Sequence, residues 1–114
     1  MKHQMRLNDD PFIKIKSGVK TIEMRLYDEK RRLIKEMDII EFINRNTDEK
    51  IVVQVIKLHI FNNFEELYKH FDKIKLGYDK NDIATPSDMN IYYSDEEQKK
   101  YGVVGIEIKL IKNT

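Results

Sequence analysis

The chain contains no cysteine, which removes a disulfide framework, a thiolate nucleophile and a cysteine-ligated zinc from consideration. It also lacks any apolar run approaching the ~20 residues that a membrane-spanning helix requires. No apolar stretch stands behind the charge of Met1-Lys2-His3-Gln4, so no signal peptide is expected and a cytoplasmic location is the default. The three histidines, His3, His59 and His70, are far apart in sequence, so neither a metal site nor a cofactor is expected. No Ser–His or Cys–His arrangement offers a nucleophile. Net charge is nearly absent too, at +1 over 114 residues, too little in itself to mark a nucleic-acid binder.

What is present fits one folded domain spanning residues 1–114, with 40% hydrophobic and 36% charged residues. The charge is unevenly placed. Residues 1–35 carry a net of +5 and residues 36–114 a net of −4. A basic excess of this kind can be an electrostatic footprint for phosphates or simply a solvated face.

The basic segment contains the stretch on which the reading turns, Gly18-Val19-Lys20-Thr21-Ile22-Glu23-Met24-Arg25. A helix is expected to end at Gly18 and a strand to begin near Thr21. Side chains alternate along a strand, so Ile22, Met24 and Leu26 share one face and Thr21, Glu23, Arg25 and Tyr27 the other. Glu23 and Arg25 are then within reach of each other, with Lys20 beside them at the mouth of the strand.

Around this stretch the pattern gives β-α-β-turn-β-β-α-loop-α-β. His3 to Leu7 alternates as a first strand. Asp10 is the expected N-cap of the first helix, with Pro11 at its first position. Asp28 to Met37 reads as a charged turn or short helix. Asp38 to Ile43 and Lys50 to Phe61 form a hairpin, the second arm apolar on both faces as in a small barrel. Phe64, Leu67, Tyr68 and Phe71 fall on one helical face. Residues 72–91 read as one long loop. Ser94 to Glu97 is a capping box opening a helix that ends at Gly102, and a last strand alternates from Val104 to Leu110. The fold class is α+β: a small, mostly antiparallel, partly closed β-barrel flanked by short helices.

Several residues resemble a known family. Met5-x-Leu7, Pro11-Phe12, Ile15 and Gly18-x-Lys20-x-x-Glu23-x-Arg25 look like the signature of the ASCH domain. So do Asp38-Ile39-Ile40-x-Phe42, Phe64-Glu65-Glu66-Leu67 and the closing Tyr101-Gly102-Val103-Val104-Gly105-Ile106. The resemblance implies a PUA-like barrel and a cleft lined by the signature Lys, Glu and Arg, with RNA or a nucleotide or nucleoside as ligand. Two positions depart from it. Met37-Asp38 stands where the family often has Gly-Asp. Glu23 stands where the amidohydrolases of the family that deacylate N4-acetylcytidine have Thr, while Thr21 is next to the Lys.

Each site residue carries two readings. Lys20 is a lysine favoured by the helix C-terminus, or a phosphate ligand or general base. Glu23 and Arg25 are a structural ion pair, or a guanidinium fork for phosphate or a base edge with Glu23 as its orienter or a proton shuttle. Lys30, Arg31, Arg32 and Lys35 are a solvated face or phosphate contacts. Tyr92 and Tyr93 divide between core and surface, and a ring beside the cleft could stack on a base. The expected ligand-binding set is Lys20, Glu23, Arg25, Arg32 and Tyr93. The expected function is binding of RNA in a basic cleft. The alternative is a small nucleoside amidohydrolase or weak ribonuclease with Lys20 and Glu23 as catalytic residues, and a protein-interaction role is a third possibility.

Overall fold

A computed structural model describes residues 1–113. Five strands form one mixed sheet: β1 (Lys2–Leu7), β2 (Ile22–Leu26), β3 (Ile39–Asn44), β4 (Lys50–Phe61) and β5 (Val103–Asn113). Their order is β1-β3-β4-β5-β2. All neighbours are antiparallel except β1 and β3, which pair in parallel with Met5 opposite Phe42. β4 is long enough to pair along both β3 and β5, and its register against β5 shifts twice, at Val52/Val53 and Val55/Lys57. Such irregularities bend a strand and increase its twist. The sheet therefore curls into a half-barrel, with β1 and β2 as its two edges.

Alternation along β2 assigns the two faces. Glu23 and Arg25 lie opposite Ile106 and Val104 of β5. Those two valine and isoleucine side chains belong to the concave cluster with Met5, Phe12, Ile15, Phe42 and Val53. Ile22, Met24 and Leu26 point the other way, into a second cluster with Phe64, Leu67, Leu76 and Met89. Helix α1 (Asp9–Lys16) thus packs on the concave side through Phe12 and Ile15. The convex side is covered by α2 (Phe64–His70), by α3 (Lys73–Leu76) and by a 3-10 segment at Pro86–Ile91. Helix α4 (Asp95–Tyr101) leads into β5.

The α+β half-barrel matches the fold expected from the sequence, with corrections at the start of α1 and in the 72–91 stretch. The N-cap of α1 is Asn8 rather than Asp10, which makes Pro11 its third residue. Asp9 spends its carboxylate on Asn44 and Asn46 across the barrel end, which draws the helix start forward. Pro11 is tolerated there because the first four helical N–H groups have no intrahelical acceptor. The supposed loop 72–91 contains α3 and the 3-10 segment, each too short for a periodic signal. Asp72 caps α3 by accepting from the Ile74 N–H at 2.9 Å, and Thr85 and Asp88 form a capping box for the second. The Ser94 box is present as read, with Ser94 Oγ accepting from the Glu97 N–H at 3.1 Å.

Met37 adopts φ +73° at the entry to β3, the left-handed region that glycine occupies freely. Its N–H donates to the Val55 carbonyl at 2.8 Å, which holds the turn in place. The side chain is exposed and contributes no core packing. A non-glycine residue there costs about 1–2 kcal/mol, partly offset by the greater entropy a glycine loses on folding. Met37→Gly is therefore expected to raise the stability in urea by about 0.5–1 kcal/mol, while Met37→Ala leaves it nearly unchanged. Equal effects of the two substitutions would show that the backbone conformation is not the cause.

Candidate functional site

The site begins where α1 ends. Gly18 takes φ +82°, and the N–H groups of Val19 and Lys20 both donate to the Lys14 carbonyl at 3.0 Å. This tight reversal turns the Lys20 side chain inward, where Nζ donates to the Leu76 carbonyl at 2.9 Å. Room for its methylenes comes from Gly77. A Cβ there would stand 3.0 Å from Lys20 Cδ, and its φ of +104° independently favours glycine. Nothing in the local sequence around Lys20 announces this partner, 57 positions away.

Glu23 joins the two cations. Its Oε1 lies 3.3 Å from Lys20 Nζ and accepts from the Met24 N–H at 3.3 Å. Its Oε2 accepts from Arg25 Nε at 3.0 Å and lies 3.0 Å from Arg25 Nη2. A carboxylate offers about four lone-pair positions, and these four contacts occupy them. Glu23 is thus a positioning group: it holds Lys20 and Arg25, and those two carry the donors that can face a ligand. Lys20 and Glu23 are 6% and 4% exposed. Burial penalises the Glu23 charge, but Lys20 and Arg25 outweigh it and keep the carboxyl below its ordinary range. Burial likewise opposes the Arg25 charge, and Glu23 and the nearby Tyr93 hydroxyl outweigh it, raising the guanidinium pKa.

The three lie at a cavity of ≈ 610 Å³ between the unpaired edges of the half-barrel. Arg6 and Leu7 of β1 form one side and Met24 and Arg25 of β2 the other. Arg25 Nη2 crosses the gap to the Arg6 carbonyl at 3.3 Å. Tyr78, Asp88, Met89, Tyr92 and Tyr93 build the outer wall. That wall is held by a hydrogen-bonded chain in which the Tyr78 hydroxyl donates to Asp88 Oδ2 at 2.7 Å and meets the Tyr68 hydroxyl at 2.7 Å. The Tyr78 bond lowers the Asp88 pKa, while burial, with its two hydroxyl and carboxylate partners, pushes the Tyr78 phenol up.

The cavity is not the uniformly basic cleft that the charge of residues 1–35 led us to expect. Its lining has five cations and five carboxylates. Most pair internally: Lys14 Nζ reaches Asp10 at 3.1 Å, Asp79 at 3.3 Å and the Gly77 carbonyl at 2.6 Å. Two guanidiniums stay available. Among the described residues, Arg6 has only a loose ion-pair contact with Asp48 at 4.0 Å, and Arg45 is exposed with its side chain in no ion pair. Arg45 is nonetheless well placed, because its N–H donates to the Leu7 carbonyl at 2.9 Å and the Asn44–Asn46 turn is tied to Asp9.

Of the residues expected from sequence, the fold brings Lys20, Glu23, Arg25 and Tyr93 to this cavity. Arg32 is elsewhere, over the Tyr27 ring at 4.3 Å. The tyrosines divide: Tyr93 stacks on Phe64 with ring centroids 6.0 Å apart, and Tyr92 is exposed. Arg6, Arg45, Tyr78 and Asp88 were not foreseen. His59 and His70 come within 5.7 Å of each other, whereas His3 binds Asp38 at 2.9 Å. Among the described residues no group of three His, Cys, Asp or Glu is placed to hold a metal, and no helix is long and apolar enough to cross a membrane.

The family model of the ASCH domain matches residues 5–112. Among solved structures, the chain is similar to the crystal structure of hypothetical protein PH0355, at 35% identity over 97% of this chain and 100% of that one, with a TM-score of 0.82. It is also similar to the solution NMR structure of protein PF0455 from Pyrococcus furiosus, at 34% identity over 98% of this chain and 99% of that one, with a TM-score of 0.70. No curated protein matches it.

Removing the shared counter-ion leaves two buried cations facing each other, so Glu23→Gln is expected to cost about 3–5 kcal/mol at neutral pH. The folded carboxyl titrates below its ordinary 4.5. Its contribution is complete above that value and is lost as the pH falls through the depressed one. Asp38, whose hydrogen bond from His3 and other donors bring it to about 2, titrates in the same acid range but is common to both proteins. The difference between wild type and Glu23→Gln in urea unfolding should be widest above pH 4.5 and shrink in acid. A difference that is constant across the acid range would contradict the ionic origin.

Proposed function

The chain belongs to the ASCH domain family, and from that membership and the cavity's geometry we propose that it binds RNA by taking one nucleotide of a single strand into the gap between β1 and β2. The observation that carries this reading is the cavity floor, where Glu23 saturates itself on Lys20 and Arg25 and so presents their donors to whatever enters. Base carbonyls and ring nitrogens are acceptors that suit such a floor. A volume of ≈ 610 Å³ lies within the usual range for small-ligand sites. Tyr92, exposed at the rim, offers a ring face for stacking. Arg6 and Arg45 at the mouth suit the phosphate, which would then stay outside while the base enters.

The Lys20–Glu23 contact inside a nucleoside-sized cavity also supports hydrolysis of N4-acetylcytidine, or weak cleavage of RNA. Binding is preferred because all four acceptor positions of Glu23 and two of the three N–H bonds of Lys20 are already engaged. Incubation with N4-acetylcytidine is therefore expected to yield no cytidine by chromatography, and labelled RNA should stay intact. Release of cytidine, abolished by Lys20→Ala, would replace the binding reading with the hydrolytic one.

Tyr92 and Arg45 are exposed, so their substitution tests binding without unsettling the core. In fluorescence anisotropy with a labelled single-stranded oligoribonucleotide, Tyr92→Ala is expected to lose about 1–3 kcal/mol of binding free energy. Arg45→Ala should reduce the slope of log affinity against log salt by about 0.7, one phosphate contact's share on a single strand. Both variants should melt as the wild type does. Absence of binding by the wild type at about 50 mM salt would overturn the proposal.

A further inference from the structure

Arg32 lies outside the cavity, in a hollow of its own. Tyr27 follows Glu23 and Arg25 on the same face of the β2 edge, about 7 Å beyond Arg25 along an extended chain. Its N–H donates to the Gly102 carbonyl at 3.0 Å, so the chain still runs beside β5 there. Arg25 lines the cavity, and Tyr27 lines the second hollow, of ≈ 780 Å³, together with Arg32, Ile60, Lys99, Lys100 and Tyr101. The two hollows are thus lined by side chains two positions apart in the chain.

The second hollow differs from the first in its charge. Arg32 spreads over the Tyr27 ring at 4.3 Å and donates to the Tyr101 carbonyl at 3.0 Å. Lys100 Nζ stands 5.0 Å from the centre of the Tyr101 ring. Among the described residues Arg32, Lys99 and Lys100 form no ion pair, and the hollow's one carboxylate is Asp95. Cations resting on aromatic faces, with their charge uncompensated, suit a ligand that combines anionic oxygens with flat rings. Ile60, 54% exposed, adds an apolar contact for a base.

Resting on the RNA reading above, we infer that this hollow holds the neighbouring nucleotide of the same strand, so that the ligand is a strand of two or more nucleotides rather than a free nucleoside. Arg32 and Lys100 contact its phosphodiester oxygens, and Tyr27 and Tyr101 bound its base.

The test compares a mononucleotide with an oligoribonucleotide of about six residues, enough to span both sites at one base per stacking position. The wild type should bind the oligomer at least tenfold more tightly. The double variant Arg32→Ala/Lys100→Ala should lose at least fivefold for the oligomer, nothing for the mononucleotide, and about 1.4 in salt slope. Because Arg32 also braces Tyr101, the exposed pair Lys99→Ala/Lys100→Ala serves as a second variant, expected to show the same selective loss with an unchanged melting temperature. Equal affinities for the two ligands, or oligomer binding untouched in both variants, overturn the inference while leaving the cavity reading intact. A polyglutamate of equal charge that displaces the oligomer as well as unlabelled RNA does would also overturn it. Failure of both ligands to bind removes the two proposals together.

Discussion

The carboxylate of Glu23, held between two cations in the interior, is the interaction on which the rest of the site depends. A charge taken out of water is costly, and attraction offsets that cost only where geometry is good and every lone pair has a donor. Here the geometry is assembled from four separate parts of the chain. The reversal after α1 supplies Lys20, β2 supplies Glu23 and Arg25, α3 supplies the Leu76 carbonyl, and β1 supplies the Arg6 carbonyl. The triad thus ties together the two edges of the half-barrel and the segment that wraps around them. It sits at a cavity, where an apolar cluster would have closed the same gap without any donor to offer. That placement is why we read it as a binding floor rather than as a brace alone.

The cavity itself follows from strand order. With β1 and β2 at opposite ends of β1-β3-β4-β5-β2, the curl set by β4 brings the edges near without pairing them. An open edge exposes backbone groups that must be covered or occupied. The chain covers it from outside with α3 and residues 78–93, whose wall rests on polar contacts: Tyr78 to Asp88, Asp88 to Thr85, and Lys73 Nζ to the carbonyls of Lys80 and Asp82 at 2.8 and 2.6 Å. These hydrogen bonds hold the outer side of the wall, while Leu76, Met89 and Tyr93 anchor its inner side in the second apolar cluster.

The sequence made much of this legible, for definite reasons. Alternation along residues 21–27 separated the apolar side of β2 from Glu23 and Arg25, because a strand's period of two needs only local information. The Ser94 cap was readable because its donor and acceptor lie only three residues apart. The start of α1 was not, since Asp9 is drawn to Asn44 and Asn46, 35 and 37 positions away. Nor could spacing reveal α3, Tyr78 or Asp88 as parts of the site, because each arrives by tertiary packing from a stretch without periodicity. Met37 is the instructive middle case. Its departure from the family's glycine was visible, and the structure shows Met37 in the left-handed conformation that glycine adopts freely.

Charge shows most clearly where counting fails. The excess of five over residues 1–35 looks like a phosphate footprint, yet most of that segment's cations are already paired with carboxylates. Lys14 is held by Asp10 and Asp79, Lys16 by Glu49, Lys20 and Arg25 by Glu23, and Arg31 by Asp28. A paired cation has already spent its field, so only unspent ones can attract a polyanion at a distance. What survives near the two hollows is a short set: Arg6 and Arg45 at the cavity, Arg32, Lys99 and Lys100 beyond Tyr27. These residues come from β1, the β3–β4 turn, the segment after β2 and α4, so no stretch of sequence displays them together. Only the fold gathers them at two hollows, one lined by Arg25 and the other by Tyr27, and that gathering, rather than any net charge, is what our binding proposal rests on.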